Sequence, residues 1–371
     1  MTKEFWTIIQ AALWGNNVER LTVSAERMSK VVSLCAMQGV GPLVYPMLLA
    51  ESNEQLSDAL RAQMKAVCVH SMQTQAQIYR IQEQAYRALE KAGIQAVLMK
   101  GAGLAALYPT PEQRQWGDVD LFVGKNQYHQ AARVMRETFP NALKFDEEMD
   151  HYKHYNLIAD GVSIEIHRVS VSLSHPCDVR RYARMEEQGM TKSNERIMVN
   201  GLEVRVPEPT FNTLMVFLHS WEHMLTQGAN LRQLCDLALL LHHYHDRIDT
   251  KRLKRCLRAL CLTDVWQLYM WIMVNDLGLA LDQAFFYTDA VQARAERLMN
   301  ALLTGQMTEQ KNAIESKPST NRFVRKWGTM QVRLANVRRI KPYSPAYARH
   351  LVWAVLLSGA ARLFAKDRHW E

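Results

Sequence analysis

Long apolar runs are missing from this chain of 371 residues. The longest toward its end, Leu351-Val352-Trp353-Ala354-Val355-Leu356-Leu357, falls well short of the about 20 residues that a bilayer requires, so no transmembrane segment is expected. The opening Met1-Thr2-Lys3-Glu4-Phe5-Trp6 carries acid and base ahead of a short apolar patch and has no signal-peptide hydrophobic region with a small-residue cleavage site. Secretion is therefore not expected, and the location reads as cytoplasmic. Cysteine is sparse: Cys35, Cys68, Cys177, Cys235, Cys256 and Cys261 include no C-x-x-C pair, so neither a disulfide framework nor a zinc site is expected. The thiols read as reduced, mostly buried small hydrophobes. There is no low-complexity linker and no repeat of fixed period, which argues against tethered domains and against a solenoid.

What is present is the composition of an ordinary folded protein, 48% hydrophobic and 22% charged, long enough for two or three packed units. Residues 1–85 read as helical, ending in a Gln- and Ala-rich stretch from Glu54 to about Ala92. Residues 86–207 alternate short strands with helices: Ala96–Lys100, Val119–Val123, His154–Ile158, Ser163–His167 and Leu202–Val206. From 208 to 371 helical periodicity dominates, with candidate helices at Phe211–Leu225, Leu231–His245, Lys251–Leu260, Val265–Leu277, Ala290–Leu303, Asn321–Val337 and Ala346–Ala365. The fold class is α+β, a small mixed-sheet core flanked by N-terminal and C-terminal helical regions.

Two carboxylates and a glycine turn carry the chemistry. The strand Ala96-Val97-Leu98-Met99 runs into Lys100-Gly101-Ala102-Gly103, where a missing side chain lets backbone N–H groups approach an anion and Lys100 adds a positive charge. In Gly117-Asp118-Val119-Asp120-Leu121 the strand period of two sends Asp118 and Asp120 to one face and Val119 and Leu121 to the core. In Val162-Ser163-Ile164-Glu165-Ile166-His167 the same period puts Glu165 and His167 opposite the apolar residues. Laid beside the Asp118/Asp120 strand, Glu165 completes a trio of carboxylates that repel one another unless cations lie between them. Hard oxygen ligands of this kind suit Mg²⁺.

With these residues the chain resembles the nucleotidyltransferases of the DNA polymerase beta superfamily, most closely the bacterial subgroup described only as nucleotidyltransferase family proteins. The likeness rests on Met99-Lys100-Gly101, Leu107-Tyr108-Pro109, Arg114 ahead of Gly117-Asp118-Val119-Asp120-Leu121, and Ile164-Glu165-Ile166-His167, and it covers residues 85–210. Where that turn usually pairs Gly with Gly or Ser, this chain has Gly101-Ala102, which removes a hydroxyl contact to phosphate. The resemblance implies a nucleotidyltransferase core in which Asp118 and Asp120 bridge two Mg²⁺ ions, with Mn²⁺ as the alternative metal, and Glu165 completes the second ion's shell and favours deprotonation of the acceptor. It implies that Lys100, Gly101, Ala102 and Gly103 hold the β and γ phosphates of an NTP, and that Arg114 adds a bidentate phosphate contact. The implied reaction moves an NMP from the NTP to an acceptor hydroxyl and releases pyrophosphate, with a small-molecule acceptor favoured over protein or RNA.

Plainer readings exist beside these. Lys100 also reads as a solvated strand-end charge, Arg114 as a partner of Glu112, and His167 as a residue that hydrogen-bonds a neighbour. His219 and His223, at i and i+4, lack an evident third metal ligand and read as hydrogen-bonding groups near the cleft, while His242-His243-Tyr244-His245 suits a helix C-terminus. The same motifs also serve a non-catalytic nucleotide-binding regulatory or scaffold protein, or a protein-modifying AMP- or UMP-transferase. Residues 317–371 carry net +10 and the other 316 residues −2, so the basicity belongs to the tail. Its Arg322, Arg325, Arg333 and Arg338-Arg339-Lys341, with Trp327 and Tyr343 interleaved, suit a polyanion or a membrane surface, or form a solvated face.

Overall fold

A computed structural model describes residues 3–16, 24–50, 56–145, 151–173, 175–226, 228–305, 334–335 and 337–353. Four helices lead in: α1 (Lys3–Trp14), α2 (Ala25–Met37), α3 (Gly41–Ala50) and α4 (Asp58–Lys91). Ser24 and Ser57 accept N–H groups from the first turns of α2 and α4, which fixes where each begins. α4 runs unbroken through residue 85 and delivers the chain to β1 (Val97–Met99), then to α5 (Gly101–Ala105), β2 (Asp118–Phe122), α6 (Gly124–Thr138), β3 (Leu143–Lys144), β4 (His154–Ala159) and β5 (Val162–His167).

These strands form one mixed sheet in the order β1-β2-β5-β4-β3. β2 and β5 are its parallel pair, and β1/β2, β5/β4 and β4/β3 are antiparallel. β4 turns directly into β5 through Asp160-Gly161, both at positive φ, the backbone that a two-residue hairpin of the right twist demands. After α7 (Pro176–Glu186), Asn200-Gly201 repeats the device between β6 (Arg196–Val199) and β7 (Leu202–Arg205), which form a separate two-stranded ribbon. The helices α8 (Pro209–Thr226), α9 (Leu231–Tyr244), α10 (Thr250–Ala259), α11 (Thr263–Asn275) and α12 (Gln292–Leu303) follow, and residues 337–340 and 345–353 are also helical. Most of the expected helix over Asn321–Val337 lies outside the described residues, with residues 334, 335 and 337 described and helical, and so does the end of Ala346–Ala365.

Two apolar cores result, one on each side of the sheet. Val119, Leu121, Leu157, Ile164 and Ile166 pack against the second half of α4 and against α6 through Ile78, Ala85, Tyr128 and Met135. On the opposite side Val97, Met99 and Phe122 join a larger core that α1 to α3 share with α8 to α12. Aromatic rings mark its centre, where Phe217 meets Trp266 and Tyr269 edge-on at centroid distances of 5.1 Å. Burying each such ring contributes roughly 1.5–3 kcal/mol, so this shared core holds the N-terminal and C-terminal helical regions together. All six cysteines are free. Among the described residues no helix is long and apolar enough to cross a membrane.

Candidate active site

Because side chains alternate along a strand, the face of the sheet that does not pack on α4 and α6 carries Asp118 and Asp120 from β2 and Glu165 and His167 from β5. Parallel pairing sets Asp120 directly beside Glu165, and a register shift of one residue would turn the glutamate into the core. α8 lies over this face. Its start is set by Pro209, which supplies the fixed φ of a first helical residue, and by the Glu208 carboxylate, which accepts the N–H groups of Thr210 and Phe211. His219 and His223 follow from that start, one turn apart.

Asp118, Asp120, Glu165, Lys100, Gly101 and Arg114 all line a single cavity of about 310 Å³ between the sheet, α8 and the first turn of α9. Ala102 does not reach it; that side chain is packed in the core beneath the sheet, and Gly103 lies against Val206. Lys100 and Gly101 both adopt positive φ, so the turn bends sharply toward β2; a side chain on Gly101 would find room beside the Asp118 carbonyl and the Trp116 ring, and it is the left-handed backbone that favours glycine there.

Asp120 is the centre of the electrostatics. Lys100 Nζ lies 3.0 Å from its Oδ2, and His167 Nε2 lies 2.8 Å from its Oδ1 and 3.0 Å from Glu165 Oε2. Burial disfavours charge on Asp120, yet Lys100 and the His167 hydrogen bond outweigh it and hold the carboxyl far below its usual range. His167, buried between two carboxylates, is raised against the pull of desolvation by its hydrogen bonds to Asp120 and Glu165, and its Nδ1 lies 3.3 Å from the Val169 carbonyl. Asp118 behaves oppositely: the charge of Asp120, then burial, push it up to about 6. Burial lowers His154 to about 4, and its Nδ1, 3.5 Å from Glu165 Oε2, has no hydrogen-bond partner among the described residues.

Two carboxylates that resist joint ionisation, a third in register and an orphaned neutral imidazole nitrogen beside it form a donor set that fits a divalent cation. His154 was not singled out by the sequence, whereas His219 and His223, expected as hydrogen-bonding groups near the cleft, line the cavity and bond to each other. His219 and His223 are both held below the usual histidine range, by burial and then by Lys100, and their Nε2 atoms share one hydrogen across 3.1 Å.

Arg114 lines the cavity with its guanidinium already engaged. Nε and Nη2 make a bidentate pair with Asp236 at 2.7 and 2.9 Å, and Nη1 donates to the Gly101 carbonyl at 3.0 Å. Tyr108 adds a hydrogen bond to the same carboxylate. Its partner is Asp236 and not Glu112, because α9 brings Asp236 into the site from far along the chain. One turn earlier on α9, Arg232 also faces the cavity. It donates from Nη1 to the Gln115 carbonyl, while among the described residues its buried Nε has no partner, and neither has the buried indole N–H of Trp116.

Residues 24–277 match the family described as uncharacterised nucleotidyltransferase. The chain belongs to that family. The match takes in the sheet, the cavity and the helices through α11, so the site of this nucleotidyltransferase lies within the region that defines the family. Among solved structures, it is similar to an antigenic nucleotidyltransferase-like protein from Paracoccidioides brasiliensis, with 15% identity over 57% of this chain and 94% of the other, at a TM-score of 0.34. No curated protein sequence matches it.

Proposed function

We propose that this nucleotidyltransferase moves a nucleoside monophosphate from an NTP to an acceptor hydroxyl with a divalent cation, Mg²⁺ by the hardness of its oxygen ligands, held by Asp118, Asp120 and Glu165. The observation that carries the reading is the convergence of these carboxylates on one walled cavity, with Asp118 raised to about 6 by its neighbour. In the reaction the acceptor oxygen bonds to the α-phosphorus, the bond from that phosphorus to the bridging oxygen breaks, pyrophosphate leaves and the hydroxyl proton is lost. The bound cation supplies charge neutralisation at the transferring phosphate.

The chain's own groups do the rest. Lys100 and Gly101 form the edge of the cavity nearest the carboxylates. Arg232 Nε and Trp116 Nε1, two buried donors without partners among the described residues, are placed to donate to phosphate oxygens, which relieves the cost of leaving them unsatisfied. Arg114 instead fixes the glycine turn to α9. The neutral pair His219/His223 offers one donor and one acceptor to an uncharged acceptor group on the α8 side, which favours a small hydroxylated acceptor in a space of this volume.

Labelled NTP with Mg²⁺ and a panel of sugars, aminoglycosides, peptides and tRNA tests the proposal. The wild type should release pyrophosphate, and Asp118→Asn with Asp120→Asn should abolish release while circular dichroism stays unchanged. Undiminished release from the double variant refutes the assignment.

A further inference from the structure

A second cluster of ligand-type side chains lies outside the catalytic cavity, where segments distant in sequence meet. His175 and Asp178 stand at the start of α7, and His350 stands on the helical residues 345–353. One donor atom from each lies within 4.8 Å of the other two. His350 Nε2 is 2.5 Å from Asp178 Oδ2 and His175 Nδ1 is 3.9 Å from Asp178 Oδ1, so two imidazoles address the two oxygens of a single carboxylate. The rings stack with centroids 4.5 Å apart at 16°. His175 and Asp178 are 7% and 5% exposed and the His350 side chain 12%, so the cluster is largely withdrawn from water.

The neighbours are few and identifiable. Arg181 Nη1 lies 3.4 Å from Asp178 Oδ1 but also donates to the Ala259 carbonyl at 2.8 Å, and its side chain is about half exposed. Cys261, at positive φ on the turn between α10 and α11, is near enough that Asp178, after burial, adds to the rise in its thiol pKa. The lone pair of His175 Nδ1 now accepts the Cys177 N–H at 3.1 Å, a cap bond that a cation would replace.

We propose that His175, Asp178 and His350 form a second metal site, independent of the transferase reading, that takes Zn²⁺ or a similar borderline transition ion. Imidazole and carboxylate together suit such ions, whereas Mg²⁺ prefers an all-oxygen shell. Bonds of about 2.0–2.2 Å to a tetrahedral ion set donor atoms roughly 3.4 Å apart, a spacing that the observed distances bracket. The ion takes the place of the hydrogen now between His350 Nε2 and Asp178 Oδ2, and the neutral imidazole then carries its one ring proton on Nδ1. Its fourth position falls to water. Bound there, it staples residues 345–353 to α7, across a chain separation that no local hydrogen bond spans, and so reinforces the docking of Tyr347 against Trp221.

The test is a Co²⁺ titration of full-length protein stripped with chelator and carrying Asp120→Asn/His154→Ala, which disables the ligand set in the cleft. A single equivalent with the intense visible bands of tetrahedral Co²⁺, displaced by Zn²⁺, is expected. Adding His350→Gln or Asp178→Asn should weaken that binding by about tenfold or more and remove the rise in melting temperature that Zn²⁺ gives the parent. Absence of tetrahedral Co²⁺ in the parent overturns the site without recourse to the variants. So does unchanged affinity in both variants.

Discussion

At the scale of single residues, the division of labour between two arginines separates structure from chemistry. Arg114 was legible as a phosphate-type residue from its place ahead of Gly117-Asp118, but its actual partner, Asp236, lies 122 positions away and no local pattern announces it. Removing the guanidinium leaves a buried carboxylate with Tyr108 as its remaining side-chain hydrogen-bond partner among the described residues, so Arg114→Ala should cost about 3–5 kcal/mol of stability in denaturant unfolding. Arg232→Ala removes a guanidinium whose Nε is unsatisfied in the unliganded chain. It should leave unfolding nearly unchanged and weaken NTP binding about tenfold to a hundredfold by calorimetry, the roughly 1.5–3 kcal/mol of a charge-assisted hydrogen bond. A reversal of these two phenotypes would reassign the arginines. Asp118, Asp120 and Glu165 were readable because a period of two fixes the face of each, whereas His154 entered only through its antiparallel pairing with His167.

Elements were more legible in kind than in boundary. The strands over 97–99, 118–122, 154–159 and 162–167 fall within a residue or two of the expected spans, since Val, Ile and Leu alternating with polar residues leave little else that the segment can do. β3 and β6 went unread: each is short and half exposed, and acquires strand form from a neighbour instead of from its own pattern. Equally hidden was the π-helical turn Glu187–Thr191 after α7, where Gly189 packs face-on against α8. A Cβ at Gly189 would overlap Cβ and Cγ of Phe211, atoms too near the backbone to swing aside. Gly189→Ala should therefore lower stability by about 2–4 kcal/mol in thermal or denaturant unfolding, and a neutral result would show that α8 can slide. Since α8 carries His219 and His223, the surviving protein should also bind the acceptor less tightly, read as a raised KM for the acceptor.

For the whole molecule, the helices before the sheet and those after it share one core, with Phe5, Ile8 and Val44 among the same packed residues as Trp266, Met270 and Leu298. The chain should then unfold in one calorimetric transition, and a fragment beginning at residue 86 should expose that core and aggregate; a separate low-temperature transition for the N-terminal helices would contradict the shared packing. Of the basic tail, Lys317, Arg322, Arg325, Lys326, Trp327, Arg333, Arg362, Lys366 and Arg368 lie outside the described residues. Arg338, Lys341 and Arg349 are exposed, whereas Tyr343 is a core residue and Arg339 donates to the Leu225 carbonyl. The sequence by itself determined the α+β class, the glycine turn and the shared face of Asp118 and Asp120, because strand and turn preferences act over a few neighbouring residues. Only the tertiary structure decided that Asp236 captures Arg114, that α8 roofs the carboxylates with two neutral histidines, and that His350 meets His175 and Asp178, because contacts between residues so far apart depend on how entire helices pack.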